Sequence, residues 1–292
     1  MQEATDFDTF LSQAWTDHAT DATAVAERIA SQGLGHVSTA AQVPPLAHLA
    51  HHVWGEHLGR WRAGLAWFEG LGAHPAIDAS GSAAVRRCEA SLRLSEGDAS
   101  ALAGLDKSDR IRVTAMAAGN LGAFDIARSM ALLEQALAEA EASGLPATDP
   151  VNRSLAATGN NLAATLEEKP QRSAAERELM IRAAQAARHY WAIAGTWLET
   201  ERAEYRLAMT WVQAGDPAQA RRHAQACLEI VQANEGPALE RFFAWEALGV
   251  AERAAGNSTG HQQALAQVRE AFGQLDESDR GWCQASVDKL AA

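Results

Sequence analysis

The chain has 292 residues, 47% of them hydrophobic, and 25 basic against 37 acidic side chains leave a formal net charge of −12. That balance argues against general nucleic-acid binding, which needs a basic footprint, and against an anionic membrane surface as partner. The length is large for one compact core and ordinary for a repeat array, and an alanine-rich composition favours helix over sheet. Cys88, Cys227 and Cys283 stand far apart, match no metal-binding spacing, and by their odd number suit a reducing compartment. The acidic start, Met-Gln-Glu-Ala-Thr-Asp-Phe-Asp, lacks the apolar stretch of a secretion signal, and no run is long enough to span a bilayer. The expected location is therefore cytoplasmic.

In chain order, Phe7, Phe10, Leu11, Ala14 and Trp15 recur at helical spacing behind a cap at Asp6. Val25, Ala26 and Ile29 mark a second helix that ends at Gly33 and Gly35. Pro44 and Pro45 open a segment carrying His48, His51, His52, Trp54 and His57, with a break near Leu58 and Gly59 and a partner helix through Ala63 and Trp67. Residues 70–82 read as a loop around Pro75, 83–94 as a helix, and 97–105 as a short turn. Ile111, Val113, Met116 and Leu121 place a helix over 109–122, with its partner over 127–143. Pro146 and Pro150 mark the next boundary. Helices over 151–168 and 174–193 come next, joined by a loop at 169–173, with Tyr190 and Trp191 late in the second. Pro237 opens a pair whose second helix spans 258–275, and Trp282, Val287 and Leu290 lie on a last helix over 276–290. All eight prolines fall at or near these boundaries, where they avoid the roughly 3 kcal/mol cost of an interior position.

The clearest unit is 201–234. Leu207, Ala208 and Trp211 share one helix face. Gly215-Asp216-Pro217 then supplies, in order, a left-handed C-terminal residue, a cap for the next helix and a first-turn proline. Ala220, Ala224, Cys227 and Leu228 give the second helix a stripe that is mostly small. This unit resembles a tetratricopeptide repeat (TPR), a helix–turn–helix of about 34 residues. Trp54, Ala63 and Trp67 repeat the pattern. Asn161-Leu162-Ala163 matches Arg206-Leu207-Ala208, and Trp245, Leu248 and Gly249 reproduce the Trp-x-x-Leu-Gly signature, with Glu252 where the pattern has Tyr. The resemblance implies an all-α, right-handed α-solenoid of TPR-like hairpins. It would comprise an N-terminal helical pair (1–40), a first TPR-like unit with an irregular helical segment (41–107), further repeats (108–275) and a capping helix (276–292).

The same resemblance implies a concave groove lined by the first helix of each pair. In the carboxylate-clamp subgroup, Asn and Lys or Arg there hold the C-terminal carboxylate of a peptide. Asn161 takes the place of a clamp asparagine, Arg202 and Arg206 those of the two cations, and Arg112 that of a further cation. Asn160, Tyr205 and Met209 would share the groove, while Met116 stands where the second clamp asparagine belongs, a departure from the pattern. Arg202 and Arg206 are four apart on one face, and guanidinium grips carboxylate bidentately. The alternative is that both pair with Glu199, Glu201 or Glu204 on a solvated helix. The expected function is a non-catalytic scaffold or adaptor for a protein or peptide partner bearing an acidic group or C-terminal carboxylate; homodimerisation through an uncapped helical face is a further option. The alternative is a sensor holding a small molecule or peptide inside the superhelix, as in some bacterial TPR regulators, although the DNA-binding helix-turn-helix usual in those is not evident.

No Gly-x-Ser-x-Gly, phosphate-cradling loop, His-Glu-x-x-His or paired-cysteine motif is present, so neither an enzyme nor a bound cofactor is expected. One metal reading stands beside this. His48 and His52 are four apart, Glu56 is four further on, and the three share a helix face that could grip a metal. The plainer reading is a row of polar groove or surface histidines. Core packing accounts for most of the nine tryptophans, with Trp191 and Trp197 either flooring a pocket or packing between repeats.

Overall fold

A computed structural model of the chain describes residues 6–292, so the first five residues of the acidic start lie outside it. The described residues form fourteen α-helices joined by short turns, with no β-strand among them. None of these helices is long and apolar enough to cross a membrane. The chain divides into two compact units, Met1–Leu145 and Pro146–Ala292, at one of the boundary prolines.

The first unit contains α1 (Asp6–Asp17), α2 (Ala22–Gln32), α3 (Val43–His51), α4 (Trp61–Gly72), α5 (Ala79–Glu96), α6 (Lys107–Leu121) and α7 (Ile126–Ala142). Its core is built on Phe10, Ile29, Leu46, Leu49, Phe68, Leu71 and Leu92, with Trp54 and Trp67 tilted against each other at 5.2 Å. Asp21, Asp78, Asp106 and Asp125 each accept from a backbone N–H of the helix they precede. Asp78 explains why α5 begins earlier than its hydrophobic pattern suggests. The cap starts the helix at Ala79, and Gly81 lets it press against Val43 and Ile77, so the expected loop at 70–82 shrinks to residues 73–78. The break near Leu58 has a specific form. After α3 the chain widens into a π-helical turn, His52–His57, in which Leu58 N–H reaches back five residues to Val53 O at 3.1 Å. Gly55 at its centre allows this turn to sit against Asn120 and Leu92; a Cβ there would lie 2.4 Å from Asn120 Oδ1.

The second unit contains α8 (Pro150–Glu167), α9 (Ala174–Ala194), α10 (Trp197–Ala214), α11 (Pro217–Ala233), α12 (Ala238–Ala254), α13 (Ser258–Gly273) and α14 (Glu277–Ala291). Each of α8–α9, α10–α11 and α12–α13 is a packed pair; α8 also touches α10, α10 touches α12, and α14 packs on α12 and α13. Small residues set these distances. At Gly159 a Cβ would meet Ala183 O at 2.5 Å, so α8 lies backbone-to-backbone on α9. Gly215 closes α10 with φ 82°, donates to Trp211 O and Val212 O, and hands over to the Asp216 cap and Pro217 in the first turn of α11. Capping boxes start α9 (Ser173 with Glu176) and α10 (Thr196 with Glu199). Phe242, Leu265, Val268 and Cys283 carry the core under α14.

Candidate functional site

In the second unit the first helices of the pairs carry an unusual interior. Glu201, Glu204, Glu240, Glu246 and Glu252 are all buried on α10 and α12. Burying a charge is costly without a partner, so each partner defines what its glutamate can do. Glu204 accepts from Arg188 Nε and from His223 Nδ1. Burial alone would raise its pKa; those two hydrogen bonds reverse that and hold it below the usual carboxylate range. Glu246 accepts from Tyr205 OH at 3.0 Å, yet burial keeps its pKa raised. Glu252 pairs with Arg221 at 3.1 Å.

Glu201 stands apart. It is 1% exposed, its Oε1 accepts a weak hydrogen bond from the Cys227 thiol, and no donor reaches its Oε2; the Glu240 carboxyl beside it offers only a proton shared when Glu201 is protonated. Burial and the neighbouring Glu240 carboxylate push its pKa up to about 7, against a lowering hydrogen bond from Cys227. A buried acceptor with nothing to accept from is a feature that native interiors avoid unless something else supplies the donor.

That residue lines a cavity of about 600 Å³ formed by α8, α9, α10, α12 and α14, within the size range of small-ligand sites. Its aromatic side is Trp191, Tyr205, Phe243 and Trp282; Phe243 lies 5.8 Å from the Tyr205 ring and 5.1 Å from that of Trp282, which is itself exposed. Its polar side holds Glu199, Glu201 and Glu240 together with Arg153, Arg202 and Arg206, so the lining is charge-balanced.

Of the expected groove residues, Asn160, Arg202, Tyr205 and Arg206 line the cavity. Asn161 accepts from Asn160 Nδ2 at 3.3 Å and does not line it; Met209 packs against the alanine cluster of α10, α11 and α12. Arg112 belongs to the first unit, where it pairs with Asp109 at 3.1 Å. Neither cation expected for a clamp is spare. Arg202 donates to Glu240 Oε1 at 2.6 Å, and Arg206 donates to Glu167 Oε2 at 2.5 Å. Both carboxylates come from other helices, 38 and 39 residues away in sequence, and not from Glu199, Glu201 or Glu204 on the same helix. Sequence reasoning missed Arg153. It sits on α8 seven residues before Asn160, on the same helix face, with its guanidinium 5.1 Å from the Trp191 ring centroid and no ion-pair partner within 4.0 Å among the described residues. Trp191 is thus a cavity wall. Trp197 lines a second, more open hollow beside α11 that lacks such an aromatic wall.

The histidines regroup as well. His48 stands 5.4 Å from the Trp15 ring, and Glu56 is held by His52, whose Nδ1 lies 2.8 Å from Glu56 Oε2. The donors that converge with His52 are those of His18 and His57, not of His48 and Glu56. In an α-helix, five residues advance about 140° past one full turn, which would keep 52 and 57 on different faces. The π turn removes most of that angle and brings both rings together.

No protein-family model matches the chain, and no curated protein matches its sequence.

Proposed function

We propose that this protein is a non-catalytic binding protein whose second unit takes a short peptide by one end, using the Arg153–Glu201 cavity. The observation that carries this reading is the pairing of two unspent groups across one aromatic-walled space. Arg153 offers a cation held in no close ion pair, which meets the Glu199 carboxylate only through its longer-range field, and Glu201 Oε2 offers a buried acceptor with no donor. A ligand with a carboxylate for Arg153 and an ammonium or N–H for Glu201 satisfies both, and the aromatic wall receives an apolar side chain. Arg202 and Arg206 act in this reading as supports that hold Glu240 and Glu167 in place. The side-by-side pairs α8–α9, α10–α11 and α12–α13, with α14 over the last, support a TPR-like right-handed solenoid as the framework.

The cavity volume also favours a second reading, a small zwitterionic molecule instead of a peptide end. A peptide library displayed with free and blocked C-termini separates the two. Binders are expected whose affinity falls at least about tenfold, or 1.4 kcal/mol, in Arg153→Ala and Trp282→Ala. Equal binding by the wild type and Arg153→Ala contradicts the proposal.

A further inference from the structure

We infer that His18, His52 and His57 form a three-imidazole site for a late divalent transition metal, Zn²⁺ foremost, in the first unit and independent of the peptide cavity. The Nε2 atom of His52 lies 3.2 Å from that of His18 and 2.9 Å from that of His57, and ligand atoms of all three lie within 4.8 Å of one another. Metal–nitrogen bonds of about 2.0–2.1 Å in a tetrahedron place neighbouring nitrogens about 3.3 Å apart. Two of the three nitrogen pairs, both made by His52, are therefore close to ligand spacing, and the third lies within 4.8 Å.

The far nitrogens decide which atoms carry protons. His18 Nδ1 lies 2.6 Å from the Trp15 carbonyl oxygen, which can only accept, so Nδ1 carries the hydrogen. His52 Nδ1 lies 2.8 Å from the Glu56 carboxylate, which likewise accepts. In the neutral rings both Nε2 atoms then present lone pairs to each other at 3.2 Å. Two acceptors face to face repel unless a positive centre lies between them. A carboxylate and a backbone carbonyl behind two imidazoles are also the supports by which proteins fix metal-ligating histidines.

Two further features fit. The π turn His52–His57 is what puts residues five apart on one side, and such turns recur at functional sites. Trp15 closes the inner side, 5.2 Å from both the His18 and His52 rings, whereas His57 is exposed, so the fourth coordination position faces solvent. Imidazole ligands suit Zn²⁺, Cu²⁺, Ni²⁺ and Co²⁺ over Mg²⁺ or Ca²⁺.

The test titrates the full, untagged chain with Zn²⁺ by calorimetry and with Co²⁺ by visible absorption, which distinguishes four-coordinate nitrogen ligation from aquated ion. One saturable site is expected. His18→Ala and His57→Ala should each weaken Zn²⁺ binding at least about a hundredfold, Glu56→Gln about ten- to a hundredfold, and His48→Ala should leave it unchanged. Because His57 is exposed, its variant is expected to fold, and circular dichroism checks this. Absence of saturable binding would mean that protons alone hold the cluster together, and the inference fails. It also fails if Zn²⁺ binds equally well to His18→Ala and His57→Ala.

Discussion

Replacing Glu201 by Gln should stabilise the protein, by an amount that grows as pH rises from 4.5 to 7 and is full above it. In the folded state the Glu201 carboxyl titrates near 7, against 4.5 for an unperturbed glutamate, because it is buried beside Glu240. The folded pKa is the raised one. Below pH 4.5 the group is protonated in both states and changes nothing. As pH rises from 4.5 towards 7 the unfolded chain gains the charge and the folded chain resists it, so stability is lost across that window. The full loss is roughly 3 kcal/mol. Glutamine keeps an oxygen for the Cys227 thiol and removes the charge. Glu201→Gln should therefore match the wild type near pH 4.5 and exceed it by about 2–3 kcal/mol at pH 8, which is roughly 6 °C in Tm for a domain of this size. Urea midpoints followed by circular dichroism at the two pH values measure the difference. Other raised carboxyls, such as Glu167 and Glu246, add to the pH slope of both proteins equally and cancel in the comparison. If Glu201→Gln is no more stable than the wild type at pH 8, the buried charge is not where the structure places it. The same cost makes physical sense of the site: a group that destabilises the free protein is one that a ligand can relieve.

Packing and burial elsewhere in the chain are open to substitution and labelling in the same way. Arg206→Ala strips the cation from Glu167, which is 10% exposed, and should lower stability by about 1–3 kcal/mol; adding Glu167→Gln should restore most of it in a thermal melt. Gly159→Ala forces a Cβ against the α9 backbone and should cost about 1–3 kcal/mol, whereas Gly281→Ala, with nothing within 4 Å, should gain about 0.5–1 kcal/mol in the same melts. Cys88 is pushed up to about 12 and Cys283 to about 11 by burial, and Cys227 is raised by burial and by Glu201. A thiol reagent at pH 8 should accordingly label none of the three until urea is added.

The helices were legible in the sequence because their punctuation is local. Asp21, Asp125, Asp149 and Asp216 each cap the helix that begins beside them, and the prolines at 150 and 217 stand in first turns, whereas the start of α5 at Asp78 was missed because the first turn of that helix carries no apolar stripe. Helix starts and ends depend on such short-range signals. The site was legible only in part. Four of the expected groove residues line the cavity, because a helix face is a periodic pattern. What those residues bond to is not periodic. Arg202 and Arg206 find carboxylates on other helices, a pairing that only packing decides. Arg153 could have been found as the residue seven before Asn160. The histidine trio could not, since it needs a π turn that shifts the register after His52 and a partner, His18, 34 residues away on the chain.

The central claim is that the second unit holds a ligand between Arg153 and Glu201. Native mass spectrometry of the untagged protein, taken gently from its source cells, tests it most directly. One extra mass per chain is predicted, released on unfolding and missing from Arg153→Ala. A wild-type protein that carries nothing, and that takes up no peptide or zwitterion when offered, contradicts the claim.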